Sequence, residues 1–263
     1  MLDKIRRMIW ITLPALVFVL AWEIWHSIEP SLAFFFGSPS GIVTALFRGM
    51  LEERWIYHFL ITASETVLGF IIGISVGGVI GFSLLSFRYG EDLFRGYILT
   101  LGSVPIFALG PMMIIWFGPE FGMKVALAAL STVFVAASIC YTGGRKTESE
   151  FADILHTARV SKGKSLRLLV IPNAFNSIMA SFRMCIGLAL LGAFIGEFIA
   201  SDRGLGRLII MHGSLYQTNF VLAAVILLVI LSIVLDHIMR LVESRRHRIL
   251  NYLFVPIQAR NAA

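Results

Sequence analysis

Four stretches of the chain, Thr66–Phe87, Gly96–Pro119, Val125–Gly144 and Leu208–Leu235, contain no Asp, Glu, Lys or Arg. A fifth runs from Leu168 to Phe182, is interrupted by Arg183 and resumes at Met184 until Glu197. A sixth, Met8–Trp22, lies near the N-terminus. A helix needs about 20 mainly apolar residues to cross a ~30 Å hydrocarbon core, so the economical count is six spanning helices. Composition agrees: 57% of residues are hydrophobic, 14% are charged and the mean hydropathy is +0.83, against roughly 25% charged in a soluble domain. A surface this apolar could not stay dispersed in water. Soluble globular enzymes and disordered binders are excluded, and the fold class is an all-α polytopic membrane protein.

The net charge of +6 would point to nucleic acid in a soluble protein. Here its placement explains it better. With the N-terminus inside, an even number of spans returns the C-terminus inside. The inside segments then carry 16 Lys and Arg and the outside segments 5, with Arg183 within a span. That asymmetry satisfies the positive-inside rule. Lys4, Arg6 and Arg7 before an apolar stretch could open a secretory signal. The sequence that follows, Trp22-Glu23-Ile24-Trp25, has interfacial tryptophans where small cleavage-site residues would stand, and reads as a retained first helix.

Between the first two spans, Ser38-Pro39-Ser40 supplies a cap and a proline ahead of Ile42, Val43, Leu46, Phe47, Met50 and Leu51. The apolar positions recur at helical spacing, as in a short amphipathic helix on the outer surface; a solvated linker is the plainer alternative. In the second span Gly69, Gly73, Gly77 and Gly81 stand four apart, one helix face on which a neighbouring backbone can approach closely.

The same ladder contains Gly73-Ile74-Ser75-Val76-Gly77, a G-x-S-x-G pattern that acquires catalytic meaning on a strand-to-helix elbow. An intramembrane serine hydrolase with Ser75 as nucleophile and His212 or His237 as base is therefore one alternative. The run Ala158–Ser165 resembles a phosphate-binding loop, but no strand precedes it, and ATP binding by this chain is not expected. Arg183 and Glu197 are the ionisable residues of the fifth span. An ionisable group at bilayer depth costs at least ~2.5–3.5 kcal/mol. They are 14 residues apart, about 21 Å along a straight helix, and cannot pair with each other. Each lines a polar translocation route or makes a structural hydrogen bond; an ion-coupled carrier built on them is a further alternative. Cys140 and Cys185 lie in apolar runs without metal-ligand spacing and read as buried thiols.

The order of these features resembles the permease subunit of ABC importers, more narrowly the nitrate/taurine/alkanesulfonate/bicarbonate group. The resemblance runs from about Ser38 to His237. It is carried by Ser38-Pro39-Ser40 and by Thr62-Ala63-Ser64-Glu65-Thr66-Val67-Leu68-Gly69-Phe70. Ser103-Val104-Pro105-Ile106-Phe107-Ala108-Leu109-Gly110-Pro111, running into Ile115-Trp116-Phe117-Gly118, is the most specific block. Gly196-Glu197-Phe198 with Arg203-Gly204-Leu205-Gly206 closes the set. The family's cytoplasmic "EAA" signature is degenerate here. Asp153-Ile154-Leu155 stand where the family has E-A-A, Arg159 where it has glycine, and Val170-Ile171-Pro172 at its end.

The resemblance implies six transmembrane helices in type I ABC importer architecture, in a bacterial inner membrane with both termini cytoplasmic. Residues 1–58 would form the N-terminal tip, first span and periplasmic connector, 59–242 the permease core and 243–263 a cytoplasmic tail. It further implies a dimer with a second permease subunit, two cytoplasmic ATP-binding subunits and a periplasmic solute-binding protein, with ATP and Mg bound by the ATPase and no cofactor in this chain. The coupling loop, about 143–171, would dock the ATPase through Asp153, Ile154, Leu155, Thr157, Ala158, Arg159, Ser161, Lys162 and Gly163, with Pro172 opening the next span. Pro105, Trp116, Arg183 and Glu197 are the candidates for the translocation path. The implied solute is a small anion such as a sulfonate, nitrate or bicarbonate.

Overall fold

The computed structural model describes residues 2–29, 33–151 and 162–244, and these are helical with no strand. In chain order the helices are α1 (Leu2–Ile28), α2 (Ala33–Phe36), α3 (Pro39–Glu52), α4 (Trp55–Ser86), α5 (Gly90–Gly102, with a π turn at Phe94–Ile98), α6 (Ile106–Phe117), α7 (Phe121–Glu150), α8 (Ile171–Ile199), α9 (Leu205–Ser214) and α10 (Thr218–Ser244). A helical turn at Lys162–Ser165 and a π turn at Leu166–Val170 lead into α8, with Pro172 in its first turn, where a missing N–H breaks no intrahelical bond. Asp153, Ile154, Leu155, Thr157, Ala158, Arg159 and Ser161 lie outside the described residues.

Among the described residues, four helices are long and apolar enough to cross a membrane: α4, α7, the Phe182–Ile199 part of α8, and α10. α5 and α6 together form a fifth apolar segment, bent by 85°. The uncharged run Gly96–Pro119 is therefore not one straight span. Pro105, in extended conformation at the N-cap of α6, has no N–H with which to continue a helix. The apolar part of α1, Thr12–Ile28, has 17 residues, the short end of the ~17–25-residue spanning range. Leu208–Leu235 is likewise divided. α9 ends at Ser214, Tyr216 takes a φ of 57°, and α10 starts only at Thr218. The break, residues 215–217, adjoins the uncharged polar residues Gln217, Thr218 and Asn219, which a search for charges passes over. α7 continues as helix to Glu150, beyond the polar boundary expected near Gly143.

The chain divides into two compact units. The first comprises Met1–Leu60 and Asp202–Ile230. In it, Ser38 caps α3, its Oγ accepting from Gly41 N, and Ser38 N donates to Asn219 Oδ1 at 2.8 Å. Glu23 of α1 accepts from Ser40 N at 3.0 Å and Ser40 Oγ at 2.7 Å, a carboxylate at the positive end of the α3 dipole. At the other end of α3 the chain turns through Arg54, at φ 54°, and buries Trp55 completely. The Trp55 ring lies where a Cβ on Gly49 would be, 2.3 Å from its atoms. Trp55 Nε1 donates to Glu53 Oε2 at 2.9 Å, and its ring centroid is 5.7 Å from that of His212 and 6.0 Å from that of Phe220.

The second unit comprises Ile61–Ser201 and Leu231–Ala263, with α7 at its centre. A Cβ on Gly69 would come within 2.3 Å of Ala128 Cβ, on Gly73 within 1.7 Å of Thr132 Oγ1, on Gly77 within 2.3 Å of Val133 O and on Gly81 within 2.4 Å of Ala137 O. The α4 ladder thus lies directly on the α7 backbone, opposite Ala128, Thr132, Ala136 and Cys140, also four apart. α8 uses the same device on α7: a Cβ on Gly192 would meet Leu127 O at 2.7 Å, and one on Gly196 would meet Lys124 Cγ at 3.0 Å. In lipid, where apolar side chains gain nothing by leaving one apolar phase for another, this close van der Waals approach is what holds helices together. Farther along α7, Tyr141 stacks on Phe94 of α5 with centroids 4.3 Å apart, in a cluster with Leu84, Leu85, Ile98 and Val170. Cys140 and Cys185 are buried free thiols.

Candidate functional site

Two polar clusters among the described residues of the second unit involve the candidate residues Glu197 and Arg183. The first is made by the early part of α4, the start of α7 and the end of α8. Thr62 Oγ1 donates to Glu197 Oε1 at 2.6 Å, and Thr66 Oγ1 donates to Thr62 O at 2.7 Å. Thr62 and Glu197 are 0% exposed and Glu65 is 1% exposed. Lys124, also buried, donates its Nζ to Pro119 O. Glu65 Oε2 has no hydrogen-bond partner. Glu197 is therefore an interhelical tie, fully buried in this chain. It stands two residues from the end of α8, so the cluster sits at an end of the bundle. Sequence reading placed Glu197 in a span but gave Glu65 no role. The partner signal was present as three hydroxyl or carboxyl residues, Thr62, Glu65 and Thr66, spaced so that they share a helix face.

The second place joins α8 to α10. Arg183 Nε lies 3.2 Å from Asp236 Oδ1, and its Nη1 lies 3.9 Å from Glu243 Oε2. Asp236 also holds Arg240 at 2.6 Å. Arg183 borders a cavity of about 260 Å3 together with Gly187, Leu190, Ser232 and Asp236. Its charge is thus balanced by carboxylates of this chain. Asp236, Arg240 and Glu243 recur at helical spacing at the end of the last span, a pattern that would have supplied the partners.

Pro105 marks the 85° bend. Trp116, near the other end of α6, is 63% exposed, in line with Ile115 at 74% and Phe117 at 53%. Pro105, Trp116, Arg183 and Glu197 do not converge on one cavity. What they define is a bent apolar segment with an uncovered face, and two polar ties flanking α8. Of the stretch expected to dock an ATPase, Gly163 and Lys164 are exposed on the turn before α8, and the position a Cβ on Gly163 would take is open. Gly204, at φ 100°, donates its N–H to His58 Nδ1 at 2.9 Å and opens α9 with Leu205 fully buried. A side chain there would be strained.

Among the described residues, no catalytic arrangement forms around Ser75. Ser75 is exposed, off the glycine face of α4. His212 lies 2.6 Å through Nδ1 from Gln217 Oε1 and 3.1 Å through Nε2 from Glu53 Oε2, so both ring nitrogens are engaged. His237 is exposed on α10. Among the described residues, no three His, Cys, Asp or Glu side chains come together to hold a metal.

Residues 69–248 match the family profile of the binding-protein-dependent transport system inner membrane component. The chain is 28% identical over 220 residues to a probable ABC transporter permease protein of Haemophilus influenzae, covering 83% of this chain and 89% of that one. It is 29% identical over 225 residues to the putative aliphatic sulfonates transport permease protein SsuC of Escherichia coli, covering 86% of each. The taurine transport system permease protein TauC of Escherichia coli is 22% identical, over 75% of this chain and 72% of that one. Among solved structures, an inward-facing form of the MetNI methionine ABC transporter shares the fold. Its TM-score is 0.64 at 15% identity, over 74% of this chain and 98% of that one.

Proposed function

Because the chain belongs to the binding-protein-dependent transport system inner membrane components and is a permease subunit of an ABC importer, we propose that it supplies half of a gated solute route and none of the chemistry. ATP hydrolysis belongs to two copies of a cytoplasmic ATPase subunit, and solute arrives on a periplasmic binding protein. A second permease subunit, identical or related, completes the route. The observation that carries this reading is the extent of the family match, from the α4 glycine ladder through the whole of α10. The uncovered α6 face, with Ile115, Trp116 and Phe117, supports a subunit interface there, since a large exposed apolar patch needs lipid or protein against it.

In this reading both termini and the segment from about 143 to 171 are cytoplasmic, in a bacterial inner membrane. ATPase closure pushes on the stretch containing Asp153, Ile154, Leu155, Thr157, Ala158, Arg159, Ser161, Lys162 and Gly163. The turn at Lys162–Ser165 leads through the π turn into α8, and α8 is packed backbone-close on α7, so displacement of the loop moves the two together. Nucleotide and loaded binding protein shift an existing equilibrium between inward-open and outward-open forms by their differential affinities. The solute in this reading is a small anion such as a sulfonate, nitrate or bicarbonate, and the names of the sulfonate and taurine permeases among the relatives support the sulfonate.

Reversing charge at Lys162 and Lys164 together (K162E/K164E) tests the coupling. In the assembled transporter, uptake per ATP hydrolysed is expected to fall about tenfold, within the ~1–3 kcal/mol range of coupling free energies, while ATP hydrolysis persists. Unchanged stoichiometry in a folded variant would place docking elsewhere.

A further inference from the structure

We propose that the cavity between α3 and the α9–α10 turn is a phospholipid site, in which Arg48 holds the phosphate of the headgroup. The cavity measures about 530 Å3, and its lining belongs wholly to the first unit. Ser40, Thr44 and Arg48, four apart on one face of α3, border it together with Phe34, Tyr216 and Gln217. Its frame is fixed by contacts of the chain itself. Thr218 Oγ1 donates to Phe34 O at 2.6 Å, and Ser38 N donates to Asn219 Oδ1 at 2.8 Å. The Tyr216 ring stacks on Phe34, with centroids 5.8 Å apart and planes at 21°. Of the groups along this frame, the hydroxyls have already spent their hydrogens: Ser40 Oγ donates to Glu23 Oε1 at 2.7 Å and Thr44 Oγ1 to Ser40 O at 2.9 Å. Arg48 has not. A guanidinium carries five N–H donors, and among the described residues Arg48 has no ion pair or hydrogen bond. No Asp or Glu is among the lining residues. Glu23 is engaged at Ser40, and Glu52, one turn beyond Arg48, lies outside the lining. The donor fork of arginine matches a phosphate bidentately.

A second observation says which phosphate. Val43, Phe47 and Leu51, also four apart, are exposed on α3, in a row about 100° around the helix from Thr44 and Arg48. The third side of α3, with Ile42, Ala45 and Gly49, is buried. An exposed apolar row beside a polar row that carries a cation is the pattern of a helix lying in the membrane interface, its apolar row in the acyl region and its polar row among the headgroups. Trp25, Phe35 and Phe36 of the same unit are exposed as well, as in the aromatic belt at that depth. With Phe47 in the acyl region, its neighbour Arg48 stands at the level of the lipid phosphates. A water-borne anion would make no use of the apolar row.

The site is tested by photo-crosslinking the full chain in phosphatidylglycerol nanodiscs doped with phosphatidylglycerol that bears a diazirine beside its headgroup, the label being located by peptide mass spectrometry. In the wild type, label is expected on α3 and on the α9–α10 turn. Arg48→Gln, which removes the charge, should cut it at least about tenfold, the weight of a charge-assisted hydrogen bond. Thr44→Trp fills the cavity without changing charge and should remove it too. Arg88→Gln, a cation of the other unit, should leave the label on α3 unchanged, and excess soluble glycerol phosphate should not displace it. Absence of label there in the wild type would overturn the proposal, as would full label in both R48Q and T44W. Displacement by glycerol phosphate would assign the cavity to a free anion, and loss of label on assembly with the partner subunits would assign the apolar row to a protein contact; either result overturns the lipid site. Arg48 and Thr44 are exposed, so both variants should fold, and the wild-type map with either one of them decides the matter. The proposal rests on the membrane class of the chain and stands apart from the transport reading.

Discussion

Gly73→Leu should abolish folding of the membrane bundle. Even the first added carbon would sit 1.7 Å from Thr132 Oγ1 and 2.7 Å from Ala129 O. The second of these is backbone, which cannot rotate away. Inserting atoms into a packed interface costs typically 1–3 kcal/mol when neighbours can adjust. Here α4 would have to separate from α7 along the whole ladder, forfeiting the approaches at Gly69, Gly77 and Gly81 as well. Against a total stability of about 5–15 kcal/mol that loss is decisive. Gly78→Ala is the matched control: its Cβ would meet only Cys140 Sγ, at 3.8 Å. Size-exclusion chromatography of detergent extracts should give a monodisperse peak for G78A and only aggregate for G73L. Two indistinguishable profiles would show that the ladder is not the packing face.

Trp55→Ala should lower stability by about 3–5 kcal/mol, the usual cost of emptying a large buried aromatic site. The ring is fully buried, fills the space left by Gly49 and packs against His212 and Phe220. Its removal also deprives Glu53 of a donor while His212 still faces it. Trp55→Phe retains most of the packing and loses the N–H, so its deficit should be near the ~1 kcal/mol of one hydrogen bond. Thermal melts in detergent should rank wild type, W55F and W55A in that order. Equal melting points for W55A and wild type would mean that the corner contributes nothing.

The glycine register and the membrane class could be read from the residues because both are local: four glycines four apart define a face, and an uncharged run defines a length. Tertiary partners could not. Thr62 and Glu197 meet across 135 positions, and nothing near Glu197 announces that its charge is enclosed by α4. Arg183 similarly finds Asp236 and Glu243 on another helix. The breaks at Pro105 and Tyr216 were hidden for a different reason. Counting charges cannot see a bend in an uncharged run, and only the proline and the polar triplet Gln217-Thr218-Asn219 carried that information. The family motifs at Val104–Gly118 and Gly196–Gly206 carried the resemblance to the permeases, but revealed neither the bend at Pro105 nor the separate helix α9.

Solute flux in liposomes, measured with the chain alone and again with an ATPase subunit inside and solute-loaded binding protein outside, separates a passive gate from an autonomous carrier or hydrolase. The purified chain alone should transport nothing and cleave nothing. The complete assembly should accumulate solute only with ATP present. Sustained flux or peptide cleavage by the lone chain would contradict the division of labour proposed for it.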